Sequence, residues 1–227
     1  MNEPLPREDA PFSWSNYHEW LGDYSNGQVR VKELRKYKTE FGFETVEQES
    51  TVLVNIFMTV DPAVSEATTA DYTAIVVCGV DDKNRLFVLD YKNERVLGQK
   101  FWDLIFNMYE KYQPRRFGVE TTAFQKSLNY TMKDEMRRRN VFFSFDELKS
   151  DENKQRRILT LQPRYEAGMI YFKKGMEELR YQLTNFPRTT HDDLIDALAY
   201  QMQLIFPKRE KQERVKKHNY RFSLTRY

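Results

Sequence analysis

A chain of 227 residues with 40% apolar, 15% aromatic and 31% charged residues has a globular composition, far from the disordered and collagenous classes, and its length suits one sizeable core with attached ends. No apolar run approaches the roughly 20 residues of a membrane span, and the single cysteine, Cys78, excludes disulfides and cysteine-rich zinc sites within one chain. The formal charge of +2 hides an asymmetry: residues 207–227 carry eight Lys or Arg against two Glu, a local +6 that leaves −4 on residues 1–206.

Residues 1–50 mix Pro, Gly, charge and aromatics and read as a lead-in or linker, with one helical stretch around Val29–Lys38. The opening Met1–Pro6 lacks the basic and apolar stretches of a secretory signal, which together with the missing disulfides predicts a reducing cytoplasm. From Thr51 the character changes. Val52–Val60 is β-branched and apolar and ends at Asp61-Pro62, predicting a central strand that terminates in a carboxylate.

Tyr72–Val80 predicts a second strand, Asp81–Asn84 a turn and Arg85–Tyr91 a third strand, so the first three strands form an antiparallel meander. Gly98–Tyr112 has helical spacing and stops before Pro114; Arg116–Glu120 is a short strand that again ends in a carboxylate. Then come a helix over Ala123–Arg139, a strand over Val141–Phe145, a helix over Lys154–Ala167 broken near Pro163 and ended by Gly168, and a short strand over Met169–Phe172. Helices over Met176–Asn185 and His191–Phe206 precede the basic tail.

Three early strands, then alternating helices and strands with acids at strand ends and on a late helix, describe an α/β protein of the ribonuclease H-like fold: a mixed central sheet, three antiparallel strands then parallel ones, flanked by helices. Five segments carry a closer likeness: Phe57–Ala63, Asp71–Val77, Phe117–Glu120, Asn153–Ile158 and His191–Leu198. In order and spacing they resemble the successive signatures of the C-terminal nuclease domain of tailed-phage terminase large subunits, within the RuvC-like superfamily. The likeness covers roughly Leu53–Phe206, so the expected organisation is a lead-in over 1–50 following a packaging ATPase domain, a nuclease domain over 51–206 and a basic tail over 207–227. No Gly-x-x-x-x-Gly-Lys-Ser/Thr phosphate loop occurs in the chain.

The resemblance implies a metal-dependent endonuclease acting on double-stranded viral concatemer DNA, with Asp61, Glu120 and Asp193 as the core catalytic set and Asp192 and Asp196 in the same cluster. The implied cofactors are two divalent ions, Mg²⁺ or Mn²⁺. Such hard ions prefer oxygen ligands, and two of them can serve in-line phosphodiester hydrolysis without a covalent protein nucleophile. The implied partners are double-stranded DNA, the ATPase domain of a full-length protein, a small terminase subunit and the portal, in the cytoplasm of an infected bacterium and away from membranes.

On a helix turning about 100° per residue, Asp192, Asp196 and Asp193 form one stripe beside an apolar face of Ile195, Leu198, Ala199, Met202 and Phe206. The wheel does not decide which acid coordinates; the Asp193–Ala199 run also resembles the acidic helix of RuvC-type resolvases, which favours Asp193 with Asp196 behind it. Thr190–Asp193 also fits a capping box, so a structural role for these acids stays open. His191 and Asp71 are supporting candidates. Lys149, Lys154, Arg156 and Arg157 are candidates for phosphate contact, whereas Arg137–Arg139 reads as a solvated helix face. Two other readings stand beside this one: a junction resolvase or other nuclease on the same fold, and a non-catalytic DNA-binding or assembly module.

Overall fold

The computed structural model describes residues 10–20, 22–39, 42–62, 72–121, 126–150 and 153–206. Its centre is β6 (Thr73–Val80), buried along its whole length, as an apolar β-branched run covered on both faces should be. It is flanked by β5 (Asn55–Asp61) and β7 (Leu86–Glu94), both antiparallel to it. Beyond β5 lie β8 (Arg116–Thr121) and β9 (Asp146–Lys149), each parallel to its neighbour. Beyond β7 lie β10 (Ile170–Lys173) and β1 (His18–Trp20), again in parallel. The seven-stranded order β1-β10-β7-β6-β5-β8-β9 is therefore the expected mixed sheet.

Because strand side chains alternate faces, the sheet sorts its residues between two cores. Ala74, Val76 and Cys78 face one layer with α3 (Lys154–Leu159), α4 (Gln162–Glu166), α5 (Glu177–Asn185) and α6 (Asp193–Ile205). Ile75, Val77, Met58, Val60, Phe117 and Val119 face the other, under α1 (Gln99–Tyr112) and α2 (Lys126–Arg139). The same alternation turns Thr59 to the α6 side, where its hydroxyl donates to the Ala197 carbonyl at 2.6 Å.

Several sequence expectations change. Val29–Lys38 is not helical: it lies in β3 (Gln28–Thr39), paired antiparallel along its length with β4 (Gly42–Leu53), while β2 (Tyr24–Ser25) completes a three-stranded sheet. Its Lys, Arg and Glu residues suit a helix, but Val29 and Val31 enter the core with period two, and Lys32 pairs across the ribbon with Glu47 at 3.3 Å. The run from Val52 to Val60 is two strands, divided at Val54, whose N–H donates to Gly27 at 2.8 Å. Val141–Phe145 precedes β9 instead of forming it, because Phe143 packs as a loop aromatic against Tyr109, Phe106 and Phe117.

The main core also begins well ahead of Thr51. Phe12 is buried against Tyr165 and Phe186, β1 adds an edge strand, and the Trp20 indole donates to the Val88 carbonyl at 3.0 Å. The break near Pro163 and the stop at Gly168, with φ of 65°, stand as read. No helix among the described residues is long and apolar enough to cross a membrane. The basic tail and Asp71 lie outside the described residues.

Candidate active site

Asp61 ends β5 and Glu120 lies near the end of β8. The two strands are parallel neighbours, in register through Val60 and Val119, so the next residue on each is a carboxylate. Alternation puts both on the α6 side, with Thr59 and Gly118. Gly118 is required by close approach: a Cβ there would sit 2.8 Å from both methyl carbons of Leu148 on β9. A larger residue would push β9 away from the strand that holds Glu120.

The Asp61 and Glu120 carboxyl groups are hydrogen-bonded to each other, so one of them carries the proton. Burial, then the hydrogen bond to Glu120 and the charges of Glu120 and Asp196, raises Asp61 well above the usual carboxylate range. Burial would raise Glu120 too, but bonds from Asp61 and Ser150 and the charge of Arg157 hold it below that range. Burial and the neighbouring acids thus favour the protonated form more at Asp61 than at Glu120.

α6 supplies the other acids. Asp192 is its N-cap residue, yet its side chain makes no capping bond. The exposed first-turn amides are satisfied from another element: Leu194 and Ile195 donate to Gln182 Oε1 of α5 at 3.0 and 3.3 Å. The acids are thereby released from capping. Lys154, the first residue of α3, reaches Asp192 at 2.6 Å, Asp193 at 3.1 Å and Asp196 at 3.8 Å. Burial would lower Lys154, but these three acids outweigh it and hold the ammonium above the ordinary lysine range.

Asp196 is the buried acid of the stripe, 1% exposed. Arg157 grips it with two bonds, Nε to Oδ1 at 2.6 Å and Nη2 to Oδ2 at 2.7 Å, the fork geometry of an ionised carboxylate. The guanidinium also lies 4.3 Å from the Tyr200 ring centre, and Tyr200 places its own hydroxyl beside Glu120 and Ser150. Asp196 is the α6 acid whose charge acts on both Asp61 and Glu120. Asp193 sits one turn earlier, half-buried and held by Lys154.

Of the four residues expected to contact phosphate, two face solvent. Lys149 is exposed on edge strand β9, whose backbone at that point is clasped by Gln203 through two bonds of 3.1 Å, and Arg156 is exposed on α3. Lys154 and Arg157 instead turn inward to the acids; Arg157 is 5% exposed and makes its fork on Asp196. His191 is exposed and packs edge-on to Tyr72 at 5.3 Å, and the Arg95 guanidinium lies 4.6 Å from the centre of the same Tyr72 ring. Arg137 and Arg138 pair with Asp134 and Glu135 on an exposed helix face, as expected, whereas Arg139 is half-buried against Glu135, Asp103 and the Phe106 ring. Sequence reasoning missed Gln182, Thr59 and Gln201, whose amide donates to Val76 O at 2.9 Å and Thr59 Oγ1 at 3.1 Å, locking α6 to the sheet.

Among known structures, the large terminase nuclease of thermophilic phage G20c resembles this chain with a TM-score of 0.52 at 12% identity, over 86% of this chain and 97% of that one. The nuclease domain of the Thermus phage P74-26 large terminase gives 0.52 at 14% identity, over 86% and 95%. The human cytomegalovirus terminase nuclease domain gives 0.50 at 14%, over 66% and 82%. At these identities the likeness establishes the fold. No curated protein matches the sequence. The family model for the terminase ribonuclease H-like domain matches residues 58–204, from the middle of β5 to the end of α6 and across every acid described above; the chain belongs to the terminase ribonuclease H-like domain family.

Proposed function

We propose that this chain is a divalent-metal-dependent endonuclease that cuts double-stranded concatemeric viral DNA during genome packaging, with little sequence specificity. The observation that carries the reading is the Asp61–Glu120 pair: two carboxyl groups brought together at the ends of adjacent parallel strands, with buried Asp196 acting on both. Such a place favours replacement of the proton by a dication.

The donor set fits Mg²⁺ or Mn²⁺. Among the described residues no three His, Cys, Asp or Glu side chains close around one point, so a dedicated all-protein cage is not what the chain offers. Mg²⁺ instead takes one or two carboxylates and fills its remaining positions with water and substrate phosphate, which Asp61 and Glu120 satisfy. Asp193, with Asp192 beside it, would complete the set from α6, and Asp196 would stay fixed by Arg157. Two bound ions would supply an activated water and stabilise the departing 3′ oxygen. The G20c nuclease has been seen with bound magnesium and with bound zinc, which supports a divalent cofactor.

The chain's own residues have separable duties. Asp61 would give up its proton on loading, Glu120 would remain ionised, and Ser150 holds Glu120 in place. Lys149 and Arg156, exposed near the same end of the sheet, contact phosphate whatever the base sequence. The exposed His191 supports the start of α6 through Tyr72. In the longer protein this domain works beside a packaging ATPase and meets the small terminase subunit and the portal in the cytoplasm of an infected bacterium.

Incubation of supercoiled plasmid with Mn²⁺, with Mg²⁺ and with EDTA tests the reading. Wild type should cut with either ion and not in EDTA. Asp61→Asn should abolish cutting while DNA affinity stays equal or rises, because it removes ligand charge and some repulsion of phosphate. Metal-independent cutting, or an Asp61→Asn variant that still cuts, would leave a non-catalytic DNA-binding module as the better account.

A further inference from the structure

Two cations serve the acids of α6, and they are held very differently. Arg157 is 5% exposed, forked onto Asp196 and covered by the Tyr200 ring, a rigid arrangement with every element of it buried. Lys154 shares Asp196 with it but also reaches Asp192 and Asp193, and its side chain is 36% exposed. A lysine carries a compact charge on a flexible four-carbon stem, whereas an arginine fork is preorganised. The first cation is fixed and the second has a path to solvent. Lys154 also stands at the first position of α3, two residues from exposed Arg156, on the side where phosphate contact was argued.

We propose that Lys154 is an exchange residue: without metal its ammonium neutralises the acids at the start of α6, and when a divalent ion takes those acids it is displaced onto a DNA phosphate. The inference rests on the metal-dependent nuclease reading above. Its physical basis is charge accounting at close range. An ammonium within 2.6–3.8 Å of three carboxylates stabilises them as a cation cofactor would. A dication brought to Asp193 and Asp192 lowers their attraction for the ammonium and repels it directly. Phosphate is the nearest competing anion once DNA is present. Metal loading then adds a phosphate contact that the metal-free protein withholds, which makes tight DNA engagement conditional on a loaded centre.

The test uses the full chain as wild type, Lys154→Met and Lys154→Arg, with Lys154→Gln as a second neutral variant should the methionine fail to fold. Calorimetric titration with Mn²⁺ alone should show the neutral variant binding about tenfold more tightly than wild type, since a competing charge has gone, and Lys154→Arg staying close to wild type. DNA affinity is then measured by anisotropy on a short duplex, in EDTA and in Ca²⁺ under conditions where a gel shows the duplex intact. In EDTA the neutral variant should match wild type. In Ca²⁺ it should bind more weakly, and its slope of log affinity against log salt should be smaller by about one contact.

Weaker Mn²⁺ binding by the neutral variant would mean that Lys154 merely clamps the acids together and would overturn the exchange. An equal loss of DNA affinity in EDTA and in Ca²⁺ would mean a permanent phosphate contact and would overturn it equally. Folded wild type that binds no Mn²⁺ would sink the nuclease reading itself, an outcome separate from either.

Discussion

The residues of the site fall into a charge pattern that can be tested one group at a time. Arg157 and Asp196 are both buried and doubly bonded, and removing one partner of such a pair leaves an uncompensated charge in a medium that cannot solvate it. Arg157→Met should therefore destabilise the metal-free protein by about 3–5 kcal/mol, read as a fall in the chemical-denaturation midpoint with unchanged slope. A loss below about 1 kcal/mol would place the pair among weak surface bridges.

Asp61 gives a pH dependence of defined sign. Its folded value is raised, by burial and by Glu120 and Asp196 against the opposing charge of Lys154, so the folded state holds a proton that the unfolded chain has already released. The stability that this proton represents is present below the ordinary aspartate range and is lost as pH rises toward the folded value. Metal binding expels the same proton, so Mn²⁺ affinity should climb with pH until Asp61 has ionised. Calorimetry in two buffers of different ionisation enthalpy, at a pH below the folded value, should detect proton release in wild type and much less in Asp61→Asn. Identical release in both would place the proton elsewhere.

At the scale of elements, the acids depend on how closely β8, β9 and α6 approach. Gly118→Ala would bring a methyl group to 2.8 Å from both Leu148 methyl carbons, and overpacking of this kind costs about 1–3 kcal/mol. The strain would fall on the segment that carries Glu120, so cutting should drop more than tenfold at saturating DNA while DNA affinity holds. Full activity in Gly118→Ala would show that Leu148 yields without disturbing the site.

The same scale shows what was legible in the residues alone. Apolar runs ending at Asp61 and Glu120 declared buried strands with carboxylates at their ends, because a run covered on both faces is nearly uninterrupted. The β3–β4 ribbon was misread because its charges have helix-forming side chains and only Val29 and Val31 mark the two-residue period. The wheel of α6 placed Ile195, Leu198 and Ala199 in the core and Met202 packs at its edge, but Phe206 is exposed, and Asp196, Tyr200 and Gln201 are buried as well. Partners from distant segments decide this: Arg157 neutralises Asp196, and Gln201 satisfies sheet atoms of β5 and β6. Local periodicity carries no record of a partner 39 residues away. Gln182 was equally invisible, since nothing near it in sequence shows that it caps α6.

Across the whole molecule, the sheet joins the two ends of the described chain: β1 pairs with β10, and α6 packs over β5 and β6 from the opposite end of the sequence. Phe12, Trp20, Val29 and Val31 are all buried ahead of the first catalytic candidate. The acids are thus held at one end of a sheet whose framework is assembled from nearly the full described length, which keeps residues from β5, β8 and α6 in register. A scaffold of this kind preorganises the acids, and on the proposed reading metal would have little to rearrange except a proton at Asp61 and the Lys154 side chain.

The central claim is that this end of the sheet is a divalent-ion centre. Crystals soaked in Mn²⁺ and measured at the manganese absorption edge test it most directly. The anomalous map should place manganese against the carboxyl oxygens of both Asp61 and Glu120, with the first ion absent in Asp61→Asn crystals treated alike. Strong anomalous peaks at other carboxylates with none at the Asp61–Glu120 pair would contradict it.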